Sequence, residues 1–396
     1  MSPTLINRNE DLKRLRDTGY EIVVTHGHLI VHSIPYVKSN REIAYGSLVS
    51  VLELHGDQTG SPIQDHIAYF TGDQPCNSDG SVIKQIEHSV SARTIVPGLT
   101  VQRSFSNKPQ GGYQNYYDKM VRYITIMSNA AKAIDPGVTA QTYKLIENDD
   151  EDSVFLYQDS ASSRAGIAAI SEKLKMSKVA IIGLGGTGSW VLDLVSKTPV
   201  REIHLFDGDK FLQHNAFRSP SAAPKETFEG VAPSKVVYWA QHYGRFRRGI
   251  VPNELYVTDE NIDLLDGFDF VFICVDKGYA RRQIITGLRA RGVPFVDTGM
   301  GIYVQDQSLN LFGMCRVTLG TPEKFDHLDA RVPMGDDFNI DDAYVRNIQV
   351  ADLNALNATL AVIKWKKHCG FYQDFGKECS ITFSINDNLL ANDERL

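Results

Sequence analysis

The second half of the chain alternates short apolar runs with longer segments of mixed polarity. The apolar runs begin at Val179 and are VAIIG, EIHLFD, FDFVFICVD and VPFVDTG. Short apolar runs separated by helix-length segments are typical of buried parallel strands with helices between them. The pattern therefore predicts an α/β domain with a doubly wound sheet over residues 161–396.

Residues 1–145 show a different pattern, in which strands and helices do not alternate regularly. NRNEDLKRLRDTG predicts a short helix that Asn9 opens and Gly19 closes. YEIVVTHGHLIVHSIPYV alternates like a hairpin that turns at HGH, and GSLVSVLEL and DHIAYFTG predict further strands. A helix is predicted in the stretch that includes YYDKMVRYITIMSNAAKAI. These elements predict a smaller α+β module.

A linker is predicted between the two regions, over residues 146–160. Its centre is the run ENDDEDS at 147–153, which has no glycine and whose like charges resist packing. The following segment, SSRAGIAAISEKLKMS, predicts a lead-in helix with Ile167, Ile170 and Leu174 on one face.

Composition narrows the class of protein. The formal net charge is −7 and no block of basic residues occurs, which argues against a nucleic-acid partner. No apolar run reaches the ~18 residues that a membrane span needs, and the N-terminus does not resemble a secretion signal. The five cysteines are scattered without a Cys-x-x-Cys pair, so neither a disulfide framework nor a structural zinc site is indicated. We therefore expect a cytoplasmic protein.

A glycine-rich turn follows the first apolar strand and opens a helix. Its glycines are Gly183, Gly185, Gly186 and Gly188. Such glycines let the backbone approach phosphates, which then lie at the positive end of the helix. The turn alone fits dehydrogenases and flavoproteins as well as ATP-binding proteins.

The segment DGDKFLQHNAFR distinguishes between these alternatives. Asp207 ends the next strand, where a ribose-binding carboxylate is expected. Asp209, Asn215 and Arg218 follow it, whereas a dehydrogenase needs little beyond one acid there. An amide and a guanidinium suit a nucleotide whose α-phosphate is attacked, because arginine offers fixed donors to the charge that develops there.

Two later residues extend this candidate site. Lys235 begins the predicted helix in GVAPSKVVYWAQ and offers a second cation, the alternative being a solvated helix residue. Asp276 ends FDFVFICVD, where its carboxylate suits Mg²⁺; the alternative is a helix N-cap. Together these residues favour ATP with Mg²⁺ over a redox dinucleotide.

At this point a family resemblance is clear. Residues 160–370 resemble the ThiF/MoeB adenylyltransferase family, which includes the ubiquitin-activating enzymes. The matching positions are the turn Gly183 to Ser189, Asp207, Asp209, Asn215 and Arg218. The resemblance implies a Rossmann-like adenylation domain that forms homodimers. It also implies that a protein's C-terminal carboxylate attacks ATP, giving an acyl-adenylate and pyrophosphate.

The resemblance also assigns roles to single residues. It implies that Asp207 binds the ribose, that Asp276 holds Mg²⁺, and that the phosphates are bound by Asn215, Arg218 and Lys235. Arg164, in the lead-in segment, matches an arginine that family members lend to the partner subunit's site.

The chain departs from the family in the expected position of a thioester cysteine. Ubiquitin-activating relatives carry it in the loop after the strand that here includes SLNLFGMCRVTLG, and that loop, TPEKFDHLDARVPMGDDFNIDD, has no cysteine. Cys315 lies just before the loop within the predicted strand, where a buried thiol is usually inert. Cys76, in the turn-like QPCNSDGS, is a second candidate if exposed. The alternatives are direct transfer of the adenylate to a partner or an acceptor hydroxyl.

A narrower resemblance covers the whole chain. A ThiF-type domain preceded by a module with segments like PYV, HIAYFTGDQPC and GYQNYYDKM is similar to the activating enzymes of bacterial ubiquitin-like conjugation operons. This implies a ubiquitin-like protein and a conjugating-enzyme-like protein as partners, and a role in phage defence. The alternatives are a sulfur-carrier or small-molecule adenylyltransferase, a non-catalytic activating-enzyme subunit, and, more distantly, a dehydrogenase.

Overall fold

The structure is a computed structural model, and it describes residues 3–96, 98–145, 153–165, 167–305, 308–335 and 348–395. The chain divides into two compact units. The N-terminal unit comprises Met1–Asp150 and Tyr157–Arg164, and the C-terminal unit comprises Glu151–Leu156 and Ala165–Leu396. The acidic run predicted as a linker lies outside the described residues, except for Ser153.

The N-terminal unit is built on an antiparallel sheet. Its strands are β1 (Ile22–Thr25), β2 (His28–Val37), β3 (Ile43–Val51), β4 (Leu54–His55), β5 (Gln58–Thr59), β6 (Ile67–Phe70), β7 (Glu87–Val96) and β8 (Leu99–Ser106). Six of them pair in the order β1-β2-β3-β6-β8-β7, while β4 and β5 form a separate ribbon. The helices are α1 (Pro3–Arg8), α2 (Glu10–Asp17), α3 (Tyr116–Ile134) and α4 (Ser160–Arg164).

Helix α3 supplies much of the core of this unit. Met120, Tyr123, Ile124 and Met127 recur at helical spacing and are buried, as α3 packs on β2 and β3. The side chain of Asn115 accepts a hydrogen bond from the Asp118 N–H (2.8 Å) and so caps the first turn. The predicted hairpin and both predicted helices of this region are confirmed.

The C-terminal unit contains the α/β domain. Its strands are β9 (Lys178–Ile182), β10 (Glu202–Phe206), β11 (Ile250–Asn253), β12 (Phe270–Ile273), β13 (Phe295–Gln305), β14 (Asn310–Gly320), β15 (Glu378–Ser384) and β16 (Leu389–Arg395). Its helices are α5 (Ala168–Ser171), α6 (Gly186–Ser196), α7 (Gln213–Ala216), α8 (Lys235–Tyr243), α9 (Gly278–Arg291), α10 (Leu328–Arg331) and α11 (Ala351–His368), with 3₁₀ turns at Glu172–Leu174, Lys225–Phe228 and Asp259–Leu265. Within the described ranges, no helix combines the length and the apolar composition that crossing a bilayer requires.

The sheet of this unit confirms the predicted doubly wound arrangement. The strand order is β11-β10-β9-β12-β13-β14-β15-β16. The first five strands in this order are parallel to one another, and each of the last three is antiparallel to the strand before it. From β9 the chain moves outward through β10 and β11 and then returns to the other side of β9 with β12. The carboxyl ends of β9 and β12 therefore flank the switch point where such sheets bind ligands.

Both faces of the sheet are covered. Alternate residues of β9 point to opposite sides, so that Val179 and Ile181 belong to one buried cluster and Ala180 and Ile182 to another. The first cluster includes residues of α6, α8 and α11, and the second includes residues of α9. A near-continuous apolar strand is what burial on both faces requires.

The end of α6 is closed by a buried arginine. The guanidinium of Arg247 donates to the carbonyl groups of Ser196 (3.2 Å), Thr198 (3.0 Å) and Val200. Burial lowers the pKa of Arg247 to about 10. The cation thus binds the carbonyl of Ser196, the last residue of α6, and two carbonyls of the segment that follows, at the negative end of the helix.

The prediction of one continuous lead-in helix is wrong. The structure forms α4 and α5 as separate short helices, followed by a 3₁₀ turn. Of the expected apolar face, Leu174 is buried but Ile170 is 40% exposed. A helix in water depends on packing of its apolar face, and this segment has too little buried surface to extend one.

We expect Trp365→Ala to lower the free energy of unfolding of the C-terminal unit by about 3–5 kcal/mol, because the ring is fully buried between α11 and the sheet. Equilibrium denaturation followed by tryptophan fluorescence measures this, since Trp190, Trp239 and Trp365 all lie in this unit. Phe375→Ala is the matched control, because that ring is 92% exposed and its loss should change little. Equal effects of the two substitutions would contradict the described core.

Candidate functional site

Two glycines of the turn, Gly183 and Gly188, lie so close to neighbouring backbone that a side chain is excluded there. Gly183 has a φ of +89°, and a Cβ there would lie 2.7 Å from the carbonyl oxygen of Cys274. A Cβ on Gly188 would lie 1.8 Å from the carbonyl oxygen of Gly183. Gly185, just before α6, has no side chain that could cap the helix, so the N-terminal amides of α6 face the turn. This backbone can cradle a phosphate.

Asp207 ties the turn to the end of β10. Its carboxylate is buried and accepts hydrogen bonds from the N–H groups of Leu184 (2.6 Å) and Asp209 (2.8 Å). The Nζ of Lys235 lies 3.3 Å from the same carboxylate. The carboxylate of Asp207 therefore holds together the glycine turn, the backbone at Asp209 and the side chain of Lys235.

Lys235 links the two acids. It is the first residue of α8, as predicted, and its buried ammonium lies 2.7 Å from Asp209. Although burial acts to raise it, the pKa of Asp209 is held below its ordinary value by hydrogen bonds from Lys235 and Tyr256 and by the charge of Lys235. Lys277 lowers it further. The two acids thus hold the lysine between them.

Arg218 lies just beyond α7, near Asp276. Its Nε is buried without a hydrogen-bond partner among the described residues. Burial lowers the pKa of Arg218, and the nearby charge of Asp276 partly offsets this. The indole N–H of Trp190 donates to the Arg218 carbonyl (3.1 Å) and holds its backbone. An unsatisfied buried donor beside a phosphate-binding turn suits an anionic ligand.

Asn215 has a structural contact in addition to its predicted role. It is buried in α7, and its side-chain oxygen accepts a hydrogen bond from the Leu212 N–H (2.8 Å). This contact caps the short helix that precedes Arg218.

Asp276 stands at the carboxyl end of β12 with its side chain exposed. The residue at the N-cap position of α9 is Lys277, which comes one residue later. One hard oxygen ligand at this place fits Mg²⁺, which usually completes its shell with phosphate oxygens and water. Lys277 is a cation that our sequence interpretation missed, although it directly follows Asp276.

A cleft of about 300 Å³ adjoins these residues. Asp276, Lys277 and Arg281 line one side of it, and Gly299 and Gly301 contribute to its wall without side chains. Asn357 of α11 also lines the cleft and is 1% exposed, and its Oδ1 has no hydrogen-bond partner among the described residues. An orphaned buried acceptor points to a ligand that donates a hydrogen bond there.

A buried ionic triad supports the floor of the cleft. The carboxylate of Asp297, on β13, pairs with Arg281 (2.9 Å) and Arg316 (2.5 Å). Arg281 also donates to the carbonyl of Val275 (2.6 Å), the residue before Asp276. The triad therefore fixes the backbone that presents Asp276. No local pattern predicts this triad, because its members lie on three separate elements.

The candidate thiols are buried. Cys315 lies in β14, as its strand pattern predicts, and burial raises its pKa to about 11. Cys76 is fully buried and forms β-bridges with Val37 and Val82, so the expectation of an exposed turn is wrong. Burial also raises the pKa of the Cys76 thiol. Neither environment favours a nucleophile.

Arg164 ends α4, and its side chain lies outside the described residues. The structure therefore brings Asp207, Asp209 and Lys235 into direct contact and places Arg218 near Asp276.

The fold is that of a Rossmann-like domain with a candidate nucleotide site at the switch point of its sheet. Comparison with known proteins agrees: residues 158–310 match the ThiF family, and residues 10–160 match a domain of unknown function (DUF6791). The chain therefore carries a ThiF family domain, as its motifs suggested.

Two curated relatives illustrate the similarity. The ubiquitin-like modifier-activating enzyme 5 of Rattus norvegicus is 26% identical over 157 residues, which are 35% of this chain and 37% of the relative. The SUMO-activating enzyme subunit uba-2 of Caenorhabditis elegans is 23% identical over 142 residues, 36% of this chain and 24% of the relative. The chain thus matches well under half the length of these relatives.

Solved structures with a similar fold include PaaA and MccB. The crystal structure of PaaA has a TM-score of 0.46 and 18% identity, covering 58% of this chain and 76% of that one. The crystal structure of E. coli MccB with AMPCPP and MccA has a TM-score of 0.45 and 16% identity, covering 57% of this chain and 66% of that one.

We expect Asp297→Asn to lower the free energy of unfolding by about 3–5 kcal/mol, because it leaves two buried guanidinium groups without a carboxylate. Denaturation followed by tryptophan fluorescence measures the change. Asp329→Asn is the control, since its pair with Arg289 is largely exposed and should contribute less than about 1 kcal/mol. A mild effect of Asp297→Asn would mean that the triad does not hold the cleft floor.

We expect none of the five cysteines to react quickly with iodoacetamide near neutral pH in the folded protein. All are buried or half-buried, and burial raises each thiol pKa, so that little thiolate is present. Labelling of Cys315 should quicken as the pH rises toward about 11. Peptide mapping by mass spectrometry, with unfolded protein as the control, measures this. Rapid native labelling of Cys315 would restore it as a carrier candidate.

Proposed function

We propose that this protein is an adenylating enzyme that activates the C-terminal carboxylate of a ubiquitin-like protein with ATP. The observation that carries the proposal is the cluster at the carboxyl edge of the parallel sheet. There, the glycine turn, the Asp207–Asp209–Lys235 contacts and the unsatisfied Arg218 donor surround the switch point. A redox dinucleotide needs only the turn and one of these acids.

ATP would lie across this edge with its triphosphate on the glycine turn and the start of α6. The ribose hydroxyls would approach Asp207 at the end of β10. Lys235 would exchange part of its contact with Asp209 for a phosphate oxygen, because its ammonium is within 2.7 Å of that carboxylate and can turn between the two. The phosphates would accept a hydrogen bond from the Nε of Arg218, which has no acceptor among the described residues.

The proposed reaction is a substitution at the α-phosphorus. A carboxylate oxygen of the substrate forms a bond to phosphorus, and the bond to the bridging α–β oxygen breaks with pyrophosphate carrying away the electron pair. Arg218 and Lys235 stabilise the charge that develops on the phosphoryl oxygens. Asp276 would hold Mg²⁺, which supplies charge neutralisation at the phosphates. No proton is transferred, since the substrate carboxylate is already ionised.

The cleft beside Asp276 is the proposed place of the substrate's C-terminal tail. Gly301 adds no side chain to the cleft wall, which favours the close approach of a main chain, and the Oδ1 of Asn357 would accept from a peptide N–H. Lys277, at the cleft edge, would attract the terminal carboxylate. The similarity to ubiquitin-like modifier-activating enzymes supports a ubiquitin-like substrate.

After adenylation, we propose direct transfer of the acyl group to a conjugating-enzyme-like partner. The buried thiols favour this route over a thioester on this chain. Homodimerisation, a cytoplasmic location and a role in phage defence stay predictions from the family resemblance.

We expect Arg218→Ala to reduce adenylation by at least about a hundredfold, the size of effect seen on loss of one transition-state donor. Intact mass spectrometry of a ubiquitin-like protein encoded beside this chain, mixed with the enzyme and Mg·ATP, would show the added AMP. Thermal unfolding should stay near wild type, because the Arg218 Nε has no hydrogen-bond partner among the described residues and the nearby Asp276 is exposed. Arg289→Ala, at an exposed pair away from the site, is the control. Normal adenylation by Arg218→Ala would overturn the assignment.

The same experiment without reducing agent identifies the acyl acceptor. A covalent complex with this chain that thiol cleaves would show a cysteine carrier and refute direct transfer, whereas one that resists thiol but yields to hydroxylamine would show an oxyester. AMP added to a small molecule instead would favour a small-molecule adenylyltransferase.

A further inference from the structure

The fold indicates where the base of a bound nucleotide must lie. The phosphates face the turn after β9 and the ribose faces the end of β10, so the nucleotide runs across the sheet edge toward β11. The base therefore lies near the residues that follow β11. Neither the family motif nor the residues proposed to bind the phosphates include a residue of the segment after β11.

Tyr256 follows β11 and contacts the acid pair. Its hydroxyl donates to the Oδ1 of Asp209 (2.5 Å), and this hydrogen bond is the main reason that its pKa rises to about 12. Even so, the side chain is 61% exposed. An exposed ring that is fixed at its hydroxyl end presents a preformed apolar surface to a ligand.

Gly208 explains why the ring can lie there. A Cβ at Gly208 would stand 2.6 Å from the ring of Tyr256, too close for any side chain. The backbone of Gly208 is not in the left-handed region, so its conformation does not require glycine. The glycine between Asp207 and Asp209 therefore makes room for the aromatic ring.

We propose that Tyr256 forms one wall of the base subsite and stacks on the purine of the bound nucleotide. The inference rests on the proposed function, because it needs an adenine nucleotide at this edge. Asp209 holds the ring by one oxygen and Lys235 by the other, so the base subsite and the phosphate subsite share one carboxylate.

The test compares the binding of ATP and of inorganic tripolyphosphate to the full chain by isothermal titration calorimetry. Tyr256→Leu should weaken ATP binding about tenfold, within the range of one base–aromatic stack, and leave tripolyphosphate binding unchanged. Tyr256→Phe keeps the ring and should bind ATP within about threefold of wild type. Tyr372→Leu, at another exposed tyrosine of this unit, is the control.

A second variant tests the contact with Gly208. Gly208→Ala should displace the ring and weaken ATP binding, but it should cost little more when Tyr256 is already leucine. Full additivity of the two effects would show that Gly208 acts by another route and would contradict the proposal.

The outcomes separate this inference from the proposed function. ATP binding by Tyr256→Leu equal to wild type, or an equal loss of ATP and tripolyphosphate, would overturn the stacking role alone. Failure of the wild-type chain to bind ATP at all would overturn the proposed function first.

Discussion

The buried carboxylate of Asp207 is the contact on which the candidate site depends. Its oxygens accept from the N–H groups of Leu184 and Asp209, so one residue fixes the turn after β9 to the segment after β10. Lys235 then approaches the same carboxylate from α8. Three elements that are far apart in sequence thereby meet at the switch point, where a buried acid without these partners would be costly.

Much of this arrangement follows from local patterns. The apolar runs predicted β9, β10, β12 and β13 because strands buried on both faces must be apolar throughout. Gly183 and Gly188 were visible in the turn because close backbone approach excludes a side chain there. Asp207 and Asp276 were predicted because the carboxyl ends of parallel strands share one edge, and Lys235 because it begins a helix and could offer a second cation. The positions of Asp207 and Lys235 are now explained by their mutual contact.

Features that depend on distant partners could not be predicted in this way. The role of Asp297 needs Arg281 and Arg316, and the role of Gly208 needs Tyr256. Cys76 was misjudged because its turn-like neighbours say nothing about the strands that cover it. The edge strand β16 is largely exposed and carries mixed residues without a clear period, and its neighbour β15 buries polar residues beside apolar ones. The roles of such residues depend on contacts with residues that are distant in the sequence.

Arg247 has a consequence for how the whole domain responds to an anion. Helix α6 meets a buried positive charge at its carboxyl end, and under the proposed function its amino end would face a phosphate. Both ends of the helix dipole would then be matched by charge, the carboxyl end by the protein itself and the amino end by the ligand. The carboxyl end of the helix is held in place before any ligand arrives, so ligand binding need not reorganise the helix. The helix dipole is therefore already oriented toward the turn.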